Sequence, residues 1–369
     1  MSDTGEMTSR ERVLTALRHG EPDRVPIFDF IYSRRLFKEV IGRIPESYNA
    51  EDVTDCCRRV GYDMVPIPFG GVAGFVEPGG GDTFRDEWGT TYKKDPQAWP
   101  IDAPVAFPLR GRSDWKNYTV PDPSIPTRLR QVTTAVRLAQ ASDMAVAGIV
   151  RGPFSATWLL FGFETFATLL YDDPDFIDDV LTAITDFFIE GARRMVQTGV
   201  DAVFFADDYG SSESPLISPW HFERHILPQV GRLVRAVRDM GAPVIMHSDG
   251  HIRPLLSGLL RAGIDAYHPI ERRAGMDLGE LKRAYGQRLC LLGNVDNTTT
   301  LVTGSPKAVQ VETLECLRTA GPGGGYILAS DHSIKDDVPN ENVFALYEAG
   351  RRWGRYPLKI PDSLSVSGE

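Results

Sequence analysis

Cysteine is scarce in this chain: 369 residues hold only Cys56, Cys57, Cys290 and Cys316. None forms a C-x-x-C pair, and Cys56 and Cys57 are adjacent. A disulfide framework is therefore not expected, and the four read as reduced thiols of a cytoplasmic protein. No run of 18 apolar residues occurs, so no transmembrane helix is expected. The opening MSDTGEMTSRERV lacks an apolar core of the signal-peptide kind, so no secretory leader is expected. Lys and Arg form no block, and 40 basic against 50 acidic residues leave a net charge of −10. That balance argues against nucleic acid and anionic membranes as partners. No G-x-G-x-x-G follows the first apolar run, which weakens a dinucleotide-binding reading. Internal repeats and low-complexity segments are also missing.

What is present suits one large α/β domain. Hydrophobic residues make up 42% and charged residues 24%, ordinary for a globular chain. Thr8 and Glu11 have capping-box spacing, and Val13, Leu14 and Leu17 form an apolar stripe behind them. Gly20 is expected to close this helix in the left-handed conformation. Eight apolar runs then alternate with helical segments: 24–30, 63–68, 145–150, 201–206, 242–247, 265–268, 288–293 and 325–330. They lack strict alternation, as strands covered on both faces do. Helices are expected from Asp173-Pro174 to Gly199, from Ser218-Pro219 to near Gly241, and from Ser305-Pro306 to Gly321. The pattern predicts a (β/α)8 TIM barrel with an N-terminal helical extension over 1–23. Residues 70–130 read as a long insertion between strands two and three, either a roof over the barrel mouth or a surface excursion. Residues 1–357 read as a single domain, and 358–369 as a loose tail.

In such a barrel the chemistry sits at the C-terminal ends of the strands. Asp207 and Asp208 follow strand four; His247, Asp249 and His251 follow strand five; His268 and Glu271 follow strand six. Asn294 and Asp296 follow strand seven, and Asp331 and His332 follow strand eight. This concentration of titratable groups points to an enzyme. His247 and Asp249 alternate along an extended segment and so face one side. With His332 they are the expected ligands of a divalent metal. Asp207, Asp208 and Glu271 are the expected acid–base groups, although one Asp of the pair could instead cap the next helix. Arg151 is placed to meet an anionic group. His251, Asn294 and Asp296 are expected substrate contacts; the alternatives are a helix cap for His251 and loop satisfaction for the other two.

The opening TSRERVLTALRHGEPDRVPI, together with GPFSATWLLFGFE, FADDYGS, HSDGHIRPLL, GIDAYHPIE, LLGNVD and GGGYILASDHSI, resembles the uroporphyrinogen decarboxylase superfamily across residues 8–357. The resemblance implies two candidate activities. True decarboxylases carry a Met-Arg-Gln-Ala-Gly-Arg segment after the first strand; here that place reads PIFDFIYSRRLF. The corrinoid-linked methyltransferase branch carries a zinc site made of a His-x-Cys pair after strand five and a Cys after strand eight. His247 matches that His, Asp249 stands in place of the first Cys, and His332 falls about where the second does. The resemblance therefore implies a metal-dependent methyltransferase, with zinc the first expectation. It would act on a small molecule, such as a methoxy compound, with a corrinoid. No Asp-x-His-x-x-Gly motif occurs, so the corrinoid would sit on a separate protein. The alternative is a carboxy-lyase on a carboxylated substrate, using Arg34, Arg35 or Arg151 as clamps. Homodimers are common in the superfamily.

Overall fold

The computed structural model describes residues 6–72, 74–95 and 99–361. Most of the expected tail, 358–369, lies outside the described residues. Seven strands form one parallel sheet in the order β1 (Met64–Pro68), β6 (Ala145–Arg151), β7 (Ala202–Ala206), β8 (Val244–His247), β9 (Ala266–His268), β10 (Cys290–Val295) and β11 (Tyr326–Ser330). Each coincides with an expected apolar run. The sheet curls around an inner cluster that includes Met64, Ala147, Phe204, Ile245, Ala266 and Leu292. Neighbours one residue along, such as Val65, Val146, Phe205, Met246 and Tyr267, pack outward under the helices. The N-terminal helix Ser9–Leu17 contributes Val13, Ala16 and Leu17 to the inner cluster.

The first expected strand, Arg24–Phe30, is not a regular strand. It meets the sheet through single parallel bridges, Ile27 with Leu328 and Ile31 with Ile334. The reason is chemical. Pro26 has no N–H to give a ladder, and two buried carboxylates take over rungs. Asp63 Oδ2 accepts from Ile27 N at 2.8 Å, and Asp29 Oδ2 accepts from Ser330 N at 2.9 Å. Asp63 is fully buried and also receives Arg12 Nη1 and Arg24 Nη2, both at 2.8 Å. This cluster pins the N-terminal helix and the 24–27 segment to the start of β1.

Between β1 and β6 lies a separate antiparallel sheet: β2 (Val76–Pro78), β3 (Thr83–Asp86), β4 (Thr91–Lys93) and β5 (Ala103–Ala106), paired in chain order. The expected helices form at Pro174–Thr198 and Pro306–Ala320, with Ser305 capping the second. The one begun by Ser218 passes through a π-turn at Phe222–Ile226 before Leu227–Arg238. The capping box of Thr8 and Glu11 is present. The left-handed residue beyond that helix is His19, with φ 64°, and not Gly20. Gly20 is needed for space instead: a β-carbon there would lie 2.8 Å from Thr15 Cγ2.

Candidate functional site

Register sets the site. Across the sheet Arg151 pairs with Ala206, Ala206 with His247, and His247 with His268. Because side chains alternate, the inward row of Phe204, Ile245 and Ala266 continues at Ala206, His247 and His268. The same alternation separates the two aspartates after β7. Asp208 points inward. Asp207 is buried on the other side, where its carboxylate accepts from Phe154 N at 3.1 Å and Ser155 N at 2.6 Å. It thus caps the helix Pro153–Phe161, whose first turn presents unpaired N–H groups. Burial pushes the Asp207 carboxyl up to about 6 against those hydrogen bonds.

Asp208, His247 and Asp249 each offer a ligand atom within 4.8 Å of the others. His247 Nε2 lies 3.7 Å from Asp208 Oδ1 and 3.8 Å from Asp249 Oδ1. Asp249 Oδ1 is buried and has no hydrogen-bond partner, and a buried, unpartnered carboxylate oxygen is costly. Its other oxygen, Oδ2, receives His332 Nε2 at 3.1 Å. His332 therefore stands behind Asp249, and Asp208 completes the converging set. Burial works to raise the Asp249 pKa, but His247 and His332 prevail and hold it well below the usual range. Asp208 keeps 53% of its side-chain surface, open to the cavity. Desolvation and then the Asp249 charge raise its pKa. Desolvation opposes a charged His332, yet the Asp249 hydrogen bond and charge raise its pKa overall. His268 is fully buried against Phe28, Phe30 and Phe204. That burial, with His247 beside it, pushes its pKa well down and keeps it neutral.

The loops after β7 and β8 are held together at Gly210 and Gly250, with His251 N donating to Ser211 O at 2.7 Å. Glu271 Oε2 accepts from Gly250 N at 2.7 Å, and so anchors the loop that carries Asp249. His251, Asn294 and Asp296 do not line the cavity. His251 Nδ1 bonds Ala274 O at 2.7 Å. Buried Asn294 donates to Ile270 O at 3.0 Å. Asp296 accepts from Thr298 N at 2.7 Å and Thr299 N at 2.6 Å. Arg151 does line the cavity, where its charge faces Asp86 and Tyr92. Arg34 pairs with Asp336 at 3.4 Å and does not line it.

The cavity above the carboxylates has a volume of about 460 Å3. Its walls include Tyr32, Trp88, Tyr92, Arg128, Trp158 and Lys335. Trp88, Tyr92 and Arg128 come from between β1 and β6, so that stretch borders the site. Sequence reasoning missed all six. Two had a signal: Tyr32, in the segment where the decarboxylase arginines would stand, and Trp158, in the GPFSATWLLFGFE motif.

A family model described as uroporphyrinogen decarboxylase (URO-D) matches residues 100–353, and the chain belongs to that family. Among particular relatives, a methylcobamide:CoM methyltransferase MtbA of Methanosarcina mazei is 25% identical over 360 residues, 94% of this chain and 99% of the relative. A uroporphyrinogen decarboxylase of Nitrosomonas europaea is 28% identical over 251 residues, 66% of this chain and 68% of its own. Among solved structures, a methyltransferase from Methanosarcina mazei superposes with a TM-score of 0.74 at 22% identity, covering 94% of this chain and 99% of that one. That likeness shows the shared fold. No helix among the described residues is long and apolar enough to cross a membrane.

Proposed function

We propose that this protein is a metal-dependent methyltransferase that moves a methyl group between a small molecule and a corrinoid. The observation that carries the reading is the convergence of Asp208, His247 and Asp249 on one point at the floor of the cavity. The fit to a divalent cation rests on the donors themselves. Asp249 Oδ1 is an orphaned buried oxygen, and His247 Nε2 is flanked by Asp208 Oδ1 at 3.7 Å and Asp249 Oδ1 at 3.8 Å. One imidazole and two carboxylates accept zinc and also suit manganese, iron or nickel. Bound there, the cation would act as a Lewis acid on the substrate atom that carries or receives the methyl group.

The chain's own residues divide the remaining work. Asp208, His247 and Asp249 would hold the ion, and His332 orients Asp249. Tyr32 and His332 line the same cavity and are placed to hold a proton beside the substrate. Arg151 and Lys335 add positive charge at the wall, which favours an anionic group on the substrate. The aromatic walls exclude water, and the stretch between β1 and β6 would act as a roof. A cavity of this size suits a small molecule such as a methoxy compound. The corrinoid would then be presented from outside by a separate protein. The methyltransferase relative, aligned over nearly the whole chain, supports this reading. The pairing of Arg34 with Asp336, outside the cavity, removes one clamp that a polycarboxylate lyase would use.

The test is metal content by mass spectrometry on protein prepared without chelator, alongside methyl exchange with methylcobalamin followed by visible absorption. Near-stoichiometric metal that disappears in His247→Ala, with loss of exchange, is the expected result. An apo protein that takes up no divalent ion on reconstitution would overturn the reading.

A further inference from the structure

His268 supplies no ligand, yet its geometry governs one. Its Nδ1 lies 2.7 Å from Nδ1 of His247, and the rings stack with centroids 4.9 Å apart at 24°. Phe28, Phe30 and Phe204 enclose its ring, and its Nε2 has no hydrogen-bond partner. The contact with His247 is thus its one polar side-chain tie among the described residues.

A bond between two ring nitrogens uses one proton: one ring donates and the other accepts. A neutral His247 that offers its Nε2 lone pair to a cation must carry its proton on Nδ1. His268 Nδ1 is then the acceptor. We propose that His268 is a positioning residue for the metal site, accepting from His247 Nδ1–H so that Nε2 of His247 is aimed between Asp208 and Asp249. The inference rests on the metal-site reading above.

Charge explains why an imidazole suits this place. Metal-bound histidines commonly donate to a carboxylate or a carbonyl. Here Asp208 and Asp249 already balance a divalent ion. A third carboxylate, enclosed by three phenylalanines, would be a buried charge without compensation. A neutral ring orients His247 without adding charge to the two carboxylates and the ion they would hold. It also continues the aromatic packing of the inner face.

The experiment measures metal affinity by chelator competition in three proteins: wild type, His268→Phe and His268→Asn. Phe keeps the ring and removes the acceptor. Asn can return an oxygen near the position of Nδ1. Circular dichroism and thermal unfolding confirm that each variant is folded. The expected result is a loss of affinity of about 10–100-fold in H268F, with most of it restored in H268N. Wild-type affinity in H268F would overturn the inference while leaving the metal site intact. Equal weakening in both variants would also overturn it, because packing and not the hydrogen bond would then be responsible. A wild type that binds no metal would instead remove the functional reading, and this inference with it.

Discussion

Gly210 and Gly250 cross backbone to backbone: a β-carbon on Gly250 would lie 2.4 Å from the carbonyl carbon of Gly210, and one on Gly210 would lie 2.7 Å from that of Gly250. Gly250 also has φ +81°, where any side chain is strained. This crossing sets the spacing of Asp208 and Asp249, which lie two residues before and one residue before the contact. Gly250→Ala should therefore cost about 1–3 kcal/mol from backbone strain alone, with more from the clash. It should also lower metal occupancy by moving Asp249. Thermal unfolding and metal analysis of one preparation check both. Unchanged occupancy would show that the crossing does not set the site.

Adjacent aspartates should behave in opposite ways. Asp207→Ala leaves two buried backbone N–H groups without an acceptor, and should destabilise the fold by about 2–4 kcal/mol. Asp208→Ala removes a cavity carboxylate. It should leave unfolding nearly unchanged while reducing metal content and turnover. Denaturant titration of the two variants distinguishes them, and equal destabilisation would contradict the assignment.

Buried Asp29 gives a pH signature. Desolvation pushes its carboxyl up to about 7, against the hydrogen bonds from Ser330. An acid raised on folding is favourable to the native state when protonated. Its penalty is absent below about pH 4, grows between 4 and 7, and is complete above. The shift from 3.8 to about 7 corresponds to roughly 4 kcal/mol. Asp29→Asn retains an acceptor for Ser330 N and a donor for Ser330 Oγ. It should gain stability relative to wild type as pH rises from 5 to 8. A constant difference between the two proteins over that range would refute the account.

Asp63 balances Arg12 and Arg24 in the buried cluster beneath β1. Asp63→Ala strands the buried Arg24 guanidinium, while Arg12 keeps Asp23 at 2.7 Å, and should cost about 3–5 kcal/mol. Chemical denaturation provides the measurement. A loss under 1 kcal/mol would mean that water replaces the carboxylate.

Seven strands were legible as short continuous apolar runs, and the helix caps and the shared face of His247 and Asp249 because capping chemistry and period-2 geometry act locally. The same alternation, applied past the end of β7, would have separated Asp207 from Asp208. The irregular course of 24–30 was signalled by Pro26, but its replacement rungs come from Asp29 and Asp63, whose hydrogen bonds no periodicity reveals. The cavity walls were not legible. Trp88 and Tyr92 reach the site from the antiparallel sheet and Arg128 from the 3-10 turn Pro126–Leu129, and contacts between separate elements leave no spacing in the chain. His268 was visible as a strand-end histidine, but its bond to His247 depends on the register of β8 and β9.

The 26–32 segment is stitched to its neighbours at scattered points where the rest of the sheet is zipped. A zipped edge yields only as a whole, whereas a stitched one gives locally. Tyr32 hangs from the stitched edge, whereas His247 ends a zipped strand and Asp208 and Asp249 lie two residues beyond β7 and β8. The pocket thus has one wall tied at separate points and a floor tied by a continuous ladder.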